Sequence, residues 1–206
     1  MTTRTIIGLY DTYEAASRTV RDLEAAHIPG ADISLVAHRS EEYVVTDEPT
    51  SGATIGAETG ASAGAAIGGA AGLLAGLGIL AIPGVGPVVA AGWLVVTAAG
   101  AVAGAAAGGA TGGLIGSLTS ADVSKEHANF YVEGVRRGGA LVTARVEAGH
   151  FAAAEVIMRR HGRIDPVTRE KAYRDSGWRE FDEKSVPFTP ADVARERALY
   201  PNQPSI

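Results

Sequence analysis

No charged residue occurs between Thr59 and Ala121, and this neutral stretch consists mostly of Gly and Ala. Nineteen of the 27 glycines in the 206-residue chain lie between Gly52 and Gly116. Charged residues resume on both sides, so the chain consists of a charged part, a neutral part and a second charged part. With so few large side chains, the neutral part cannot build a conventional core, and its packing must rest on close backbone contact.

Glycine recurs every fourth residue in two registers within this stretch. Between the registers, Pro83-Gly-Val-Gly-Pro87 cannot continue a helix and predicts a turn. The pattern predicts two long helices folded into an antiparallel hairpin over residues 51–120. The predicted self-association residues are Gly52, Gly56, Gly60, Gly64, Gly68, Gly72 and Gly76 in the first register, and Gly92, Gly100, Gly104, Gly108, Gly112 and Gly116 in the second.

Glycine at every fourth position destabilises a helix but also allows another helix to pack closely against it. Glycine inside a helix is unfavourable by about 1 kcal/mol relative to Ala, so a solitary helix of this composition would be unstable. Small residues at this spacing let another backbone approach closely. Because four residues turn a helix by roughly 400°, the smooth strip winds around it, and one hairpin partner cannot cover the strip. We expect each helix to pack on its hairpin partner and on a neighbouring chain, with a flexible Gly/Ala linker as the alternative.

The predicted hairpin tip is apolar throughout, and it comprises Ile82, Pro83, Gly84, Val85, Gly86 and Pro87. A tip without polar residues either enters a bilayer or converges with other tips inside an assembly. Acidic residues rather than Lys or Arg precede the neutral stretch, which counts against a simple membrane span. We therefore expect a cytoplasmic homo-oligomer, with peripheral attachment to the inner membrane or insertion into its lipid as the alternative.

The first charged part, residues 1–45, shows the pattern strand, helix, strand. Thr5–Tyr10 and Ile33–His38 are short runs rich in β-branched residues, which is typical of strands. Between them lies a helical stripe of apolar residues that Asp11 or Thr12 can cap.

The second charged part, residues 122–165, repeats the alternation. Ser124 can cap a helix, a strand follows over 140–146, a second helix over 151–161, and Ile164 can start a short last strand. Apart from the neutral insert, the order is β-α-β, helix, β-α-β. This order predicts an α+β fold, specifically a ferredoxin-like βαββαβ sandwich with the helical hairpin inserted between its halves.

The last part of the chain, residues 166–206, is predicted to form an arm with short helices. Asp165 and Thr189 can each cap a helix whose first residue is proline. Trp178, Phe181 and Phe188 are large side chains among charged ones and are the predicted anchors. We expect the arm to dock on its own or a neighbouring domain.

Reactive groups are sparse. The chain has no Cys, which excludes disulfides, thiolate metal sites and Cys nucleophiles. Its five His show no metal-ligand spacing and are predicted at the surface or at helix ends, so neither metal nor cofactor is expected. A formal net charge of −5 gives no attraction to nucleic acid. Arg159, Arg160 and Arg163 form the main basic cluster and are candidate contacts for phosphate or anionic lipid.

Two sequence segments and the glycine-rich region between them resemble a known family. Ile6-Ile-Gly-Leu-Tyr10 begins the pattern, and Tyr131-Val-Glu-Gly134 with Gly138-Gly-Ala-Leu-Val-Thr143 ends it. The arrangement is similar to that of the bacterial general stress, heat-induced YflT-like family, over about residues 4–39 and 122–165. The resemblance implies a ferredoxin-like domain and a stress-associated role, and it supplies no catalytic residues.

The sequence thus favours a non-enzymatic stress protein that assembles with itself through close packing of glycine-zipper hairpins. A membrane-associated protein whose hairpin inserts into the bilayer is the second hypothesis. A regulatory module that binds a small ligand on the sandwich is the third, and no residue nominates a ligand or substrate for it.

Overall fold

Five strands and six α-helices make up the described part of the chain, which comprises residues 3–39, 78–82, 84–94 and 110–200 of a computed structural model. The strands are β1 (Thr3–Tyr10), β2 (Ile33–His38), β3 (Gly78–Ile82), β4 (Gly86–Gly92) and β5 (Ala140–Glu147). The helices are α1 (Tyr13–Ala25), α2 (Ala110–Ser120), α3 (Lys125–Arg136), α4 (Phe151–Arg160), α5 (Pro166–Asp175) and α6 (Pro190–Ala198), and a 3-10 turn covers Gly30–Asp32.

All five strands join one antiparallel sheet in the order β1-β5-β2-β4-β3. β5 lies between β1 and β2, and its Ala140 is opposite Tyr10 on one side and Ala37 on the other. Since β5 is antiparallel to both neighbours, α1 connects two parallel strands that are separated by one strand. The β3–β4 hairpin extends the sheet beyond β2.

Helices cover both faces of this sheet. On one face α1 and α4 pack on the alternate strand residues that include Ile6, Leu35 and Val142. On the other face α2 and α3 pack on the intervening residues, among them Val36 and Leu141. The predicted mixed α+β class is confirmed, and the predicted ferredoxin-like order is not.

The predicted last strand at Ile164 does not form. The Ile164 amide donates one hydrogen bond to the carbonyl oxygen of Leu9 at 2.8 Å, and the chain then turns into α5. The reason lies in the next two residues, because Asp165 caps α5 and Pro166 is its first residue. A helix start at this point leaves no length of chain for a strand beside β1.

The starts of α1 and α3 and the end of α3 lie at the residues that the capping signals predict. The Thr12 side chain accepts a hydrogen bond from the amide of Ala15 and begins α1, and the Ser124 side chain accepts one from His127 and begins α3. Gly138 has φ +97°, a left-handed conformation that glycine adopts without strain, and it follows the end of α3.

The predicted helices are wrong for Gly78–Ile82 and Gly86–Gly92, which form β3 and β4, whereas the predicted turn between them is confirmed at Gly84 and Val85. β4 pairs with β2, whose free edge it covers from Ser34 to His38. The four-residue glycine spacing cannot distinguish the two structures, because four is also a multiple of the two-residue period of a strand. Valines and isoleucines near the turn favour the strand. Most of the rest of the predicted hairpin lies outside the described residues.

Candidate functional site

The turn between β3 and β4 is buried rather than exposed. Ile82 and Val85 pack in one apolar cluster with Leu114 and Leu118 of α2 and with Phe181 of the arm. Val85 has no accessible surface. The Arg136 side chain donates a hydrogen bond from Nε to the carbonyl oxygen of Gly84 at 3.1 Å.

The C-terminal arm covers this turn at close range. Gly84 has φ +74°, and a Cβ added there would lie 2.8 Å from the Asp182 carbonyl oxygen. A Cβ added at Gly86, where φ is +98°, would lie 2.9 Å from Cβ of Pro187. Of the tip that was predicted to meet lipid or other tips, Ile82, Gly84 and Val85 are therefore buried within their own chain and Gly86 lies half-buried beneath the arm, whereas Pro87 is exposed. Pro83 of that tip lies outside the described residues.

The predicted anchors of the arm lie against its own domain. Trp178 and Phe181 are buried and Phe188 is half-buried. The amide of Phe181 donates to the side-chain oxygen of Asn129 at 3.3 Å, and the Arg136 guanidinium lies over the Phe188 ring, 4.6 Å from its centroid. A third cluster joins Trp178 and Tyr173 to Leu9 of β1.

An ion-pair cluster lies beneath the arm. Glu133 of α3 is 1 % exposed and accepts hydrogen bonds from Arg136 at 2.9 Å and from Arg137 at 2.7 Å. Arg137 also donates to Glu196 of α6 at 3.0 Å. Burial disfavours the charge on Arg137, but its bonds to the two carboxylates outweigh burial and raise the pKa of its guanidinium.

A second ion pair, between buried Arg169 and half-buried Asp11, ties α5 to the end of β1. Arg169 donates two hydrogen bonds to the carboxylate of Asp11, at 2.7 and 3.1 Å. Burial opposes its charge, and the bond to Asp11 nevertheless raises the pKa of Arg169. The same guanidinium lies 3.8 Å from the ring centroid of Tyr200, and burial raises the pKa of neighbouring Tyr173. Between the two pairs lies a cavity of about 10 Å³, which is room for about one water molecule.

These residues act as a clamp, which we define as Asp11, Glu133, Arg137, Arg169 and Glu196. Every carboxylate of the clamp accepts from a guanidinium, so its charges hold the arm on the sheet. Sequence reasoning missed the clamp because its members are far apart in the chain. The sequence marked Asp11 as a candidate helix cap beside Thr12, but it did not indicate that Asp11 pairs with Arg169.

One histidine departs from its prediction. His38 is buried at the end of β2 instead of lying at the surface, and neither ring nitrogen has a hydrogen-bond partner within the described residues. Burial lowers the pKa of His38, and the positive charge of Arg197 lowers it further. This ring is therefore neutral near pH 7.

The structure separates the predicted basic cluster. Arg163 forms two hydrogen bonds with the Glu155 carboxylate, at 2.9 and 3.2 Å. Arg160 lies 3.6 Å from Asp22, and Arg159 is exposed. Two of the three guanidiniums thus already face a carboxylate, and they do not converge on one anion site.

Three predicted self-association glycines lie in described elements. Gly92 ends β4 with φ +95°, and a Cβ added there would lie 2.2 Å from the Ile33 carbonyl oxygen, so it serves close strand packing within the chain. Gly112 and Gly116 lie in α2, and a Cβ at Gly116 would meet nothing within 4 Å. The remaining ones lie outside the described residues: Gly52, Gly56, Gly60, Gly64, Gly68, Gly72, Gly76, Gly100, Gly104 and Gly108.

Within residues 3–39, 78–82, 84–94 and 110–200, no group of three His, Asp or Glu side chains is placed to hold a metal ion. In the same ranges, no helix combines the length and the apolar character needed to cross a membrane.

Comparison with known proteins connects the N-terminal part of the chain to a family. Residues 5–83, less than half of the chain, match the family model of the heat-induced stress protein YflT domain. The match takes in β1, α1, β2 and the neutral stretch up to the turn, and it does not extend to residues 122–165. No curated protein and no solved structure matches the chain. The resemblance to the YflT-like stress proteins is thereby confirmed for residues 5–83, and it suggests a general stress role.

Proposed function

We propose that this chain is a non-enzymatic general-stress protein that associates with itself through its glycine registers, which a folded α+β domain carries. The stress role follows the YflT match over residues 5–83. Self-association rests on one observation in particular: Gly116, the last glycine of the second register, faces open space on α2. A helix position without a side chain, where a Cβ would meet none of the described chain within 4 Å, is suited to close approach by another backbone.

Burial of the β3–β4 turn limits which surfaces of the chain can contact a second copy. Since Ile82 and Val85 are buried in one cluster with Phe181 of the arm, the large apolar side chains of the tip are not available to other tips or to lipid. The contact between chains then falls on the glycine registers themselves.

The non-enzymatic part of the proposal is supported by what the buried charges do. Glu133, Glu196 and Asp11 each accept hydrogen bonds from a guanidinium that also contacts the arm or belongs to it. Carboxylates engaged in this way are structural, because ionised groups in fixed ion pairs are poorly suited to exchange protons with a substrate.

Light scattering after size-exclusion chromatography, without detergent, tests the proposal on the full chain. We expect the wild type to form a particle of many 21.0 kDa chains. Gly116→Leu places a large side chain on the open face, and Leu is a better helix former than Gly, so α2 should not be weakened. We expect this variant, and Gly64→Leu and Gly104→Leu, to form no species larger than a dimer.

Gly149→Leu is the matched control. Gly149 lies in the turn between β5 and α4, outside the registers, and a Cβ added there also meets nothing within 4 Å. It should assemble as the wild type does. If Gly116→Leu assembles as well as Gly149→Leu, the register is not the contact. If the wild type is recovered only from washed membranes and needs detergent, insertion into the bilayer replaces self-assembly.

A further inference from the structure

The free edge of β1 carries unused backbone groups. Ile164 donates to the Leu9 carbonyl oxygen from outside the sheet, so the backbone of Leu9 points away from β5. Alternate residues of a strand present their N–H and C=O groups to the same side. Thr3, Thr5 and Ile7 therefore present theirs to the open edge, and no hydrogen bond from the described residues reaches them.

This edge forms the floor of a groove of about 420 Å³. One wall comprises Phe151 and Glu155 of α4 together with Arg163, and the other comprises residues 121–123 and Tyr131. Phe151 on one wall and Tyr131 on the other place an aromatic ring on each side of the exposed strand. This is the arrangement that accepts an added β-strand.

β1 lacks the features that usually keep edge strands from pairing. It has no Pro and no Lys, and its pairing with β5 runs from Thr3 to Tyr10 without a bulge. Arg4 is the one charged residue of the strand, and its guanidinium lies over the Phe151 ring of its own chain, 4.0 Å from the centroid. An unprotected edge of this kind pairs with another strand when one is presented.

We propose that the occupant is β1 of a second copy, which pairs antiparallel across a two-fold axis at Thr5. The free groups are centred on Thr5, with Thr3 and Ile7 two residues away on either side, and Leu9 is already engaged by Ile164. In this register Thr5 faces its own counterpart and Thr3 faces Ile7 of the other copy. Each of these pairs exchanges two hydrogen bonds, so the axis satisfies the N–H and C=O groups of Thr3, Thr5 and Ile7.

Charge and chain path favour a second copy over other strands. The groove contains Arg4, Arg163, Glu155 and Asp122, so it has no net charge to select an acidic or a basic peptide. A surface of balanced charge can face itself without net repulsion. The long segments outside the described ranges join the domain at Arg39, Gly78, Leu94 and Ala110, on β2, the hairpin beyond it and the start of α2 rather than at the β1 edge.

The absence of Cys from the chain allows a direct test of this register. Opposite residues that exchange both hydrogen bonds have Cα atoms about 5.5 Å apart, within the range a disulfide spans. Thr5→Cys in the full chain should form a covalent dimer under mild oxidation. We expect it to form at least about tenfold faster than Val186→Cys, because pairing raises the effective concentration of the two thiols. Val186 is an exposed position on the arm and is the matched control.

Cysteines at Thr3 and Ile7 provide a second test of the proposed strand register. Thr3 of one copy lies four residues from Thr3 of the other, about 14 Å along the strands, so Thr3→Cys alone should not form a disulfide. An equimolar mixture of Thr3→Cys and Ile7→Cys chains should form the mixed disulfide. The pairing is overturned if Thr5→Cys reacts no faster than Val186→Cys, or if Thr3→Cys alone dimerises as readily as Thr5→Cys.

Hydrogen exchange of the wild type tests the pairing without substitution. The Thr5 and Ile7 amides should exchange more slowly at high than at low protein concentration. Slow exchange of both amides at every concentration would place another strand on this edge and refute the second copy. Repeating the Thr5→Cys experiment in Gly116→Leu separates this contact from the glycine registers, because the covalent dimer should persist there.

Discussion

Glu133 is the residue whose removal tests the clamp most directly. Its carboxylate is buried and accepts from two guanidiniums, and the side chains of Arg136 and Arg137 are themselves only 15 % and 11 % exposed. Glu133→Ala leaves both positive charges in a poorly solvated site. Removing one partner of a buried ion pair typically costs about 3–5 kcal/mol of unfolding free energy.

The remaining partners place this variant at the lower end of that range. Arg137 keeps Glu196, and Arg136 keeps the carbonyl oxygens of Gly84 and Val186. We therefore expect a loss of about 3 kcal/mol. For a chain of this size that corresponds to a decrease of about 6–12 °C in Tm.

Urea unfolding followed by far-UV circular dichroism measures this loss. Glu14→Ala is the control, since it removes an exposed i,i+4 pair with Arg18 and should change the unfolding free energy by about 0.5 kcal/mol or less. Both substitutions put a good helix former into a helix. If Glu133→Ala is as stable as Glu14→Ala, the buried carboxylate does not hold the arm, and the structural role assigned to the clamp is wrong.

Three further outcomes follow from the described contacts. Gly92→Ala forces a Cβ to within 2.2 Å of the Ile33 carbonyl oxygen at φ +95°, so it should lose more than about 2 kcal/mol in urea unfolding, whereas Gly149→Ala should stay within about 0.5 kcal/mol. Thr189→Ala removes the capping box of α6 and should cost about 1 kcal/mol, with faster amide exchange in α6 as its signature. Because burial lowers the pKa of His38 below 6.5, the unfolded chain binds this proton first, and stability should fall as the pH falls below 6.5. His38→Leu should flatten the profile where the pH falls below 6.5, and an unchanged slope there would mean that His38 does not cause it.

Elements with short-range signals were predictable from the sequence. β1, β2 and β5 are runs of β-branched residues, and α1 and α3 begin at the predicted caps. Each of these signals acts within a few residues, so the rest of the fold is not needed to interpret it. The aromatic anchors Trp178 and Phe181 were predictable for a related reason, since large rings in a charged segment must be buried somewhere.

Features that depend on distant residues were not predictable. Asp11 and Arg169 are separated by 158 residues, and no local pattern links a guanidinium in the arm to a carboxylate after β1. The apolar turn at Val85 was interpreted as a surface in need of a partner, and the partner proved to be the arm of the same chain. His38 was misplaced because the sequence cannot show that the arm lies over the end of β2.

The covered turn and the two open surfaces together limit what kind of particle the chain can form. The β1 edge is one margin of the sheet, whereas α2 with Gly116 contacts β3 at the other margin. Pairing at β1 is closed by its two-fold axis and stops at a dimer, while a contact at α2 joins one dimer to the next. Neither contact alone yields a large particle unless the glycine registers bring more than two chains together. Blocking α2 with Gly116→Leu should then leave a dimer rather than a monomer, and blocking β1 should leave a smaller assembly that Gly116→Leu abolishes. A monomer in Gly116→Leu would assign all association to the registers and leave the β1 edge without its proposed partner.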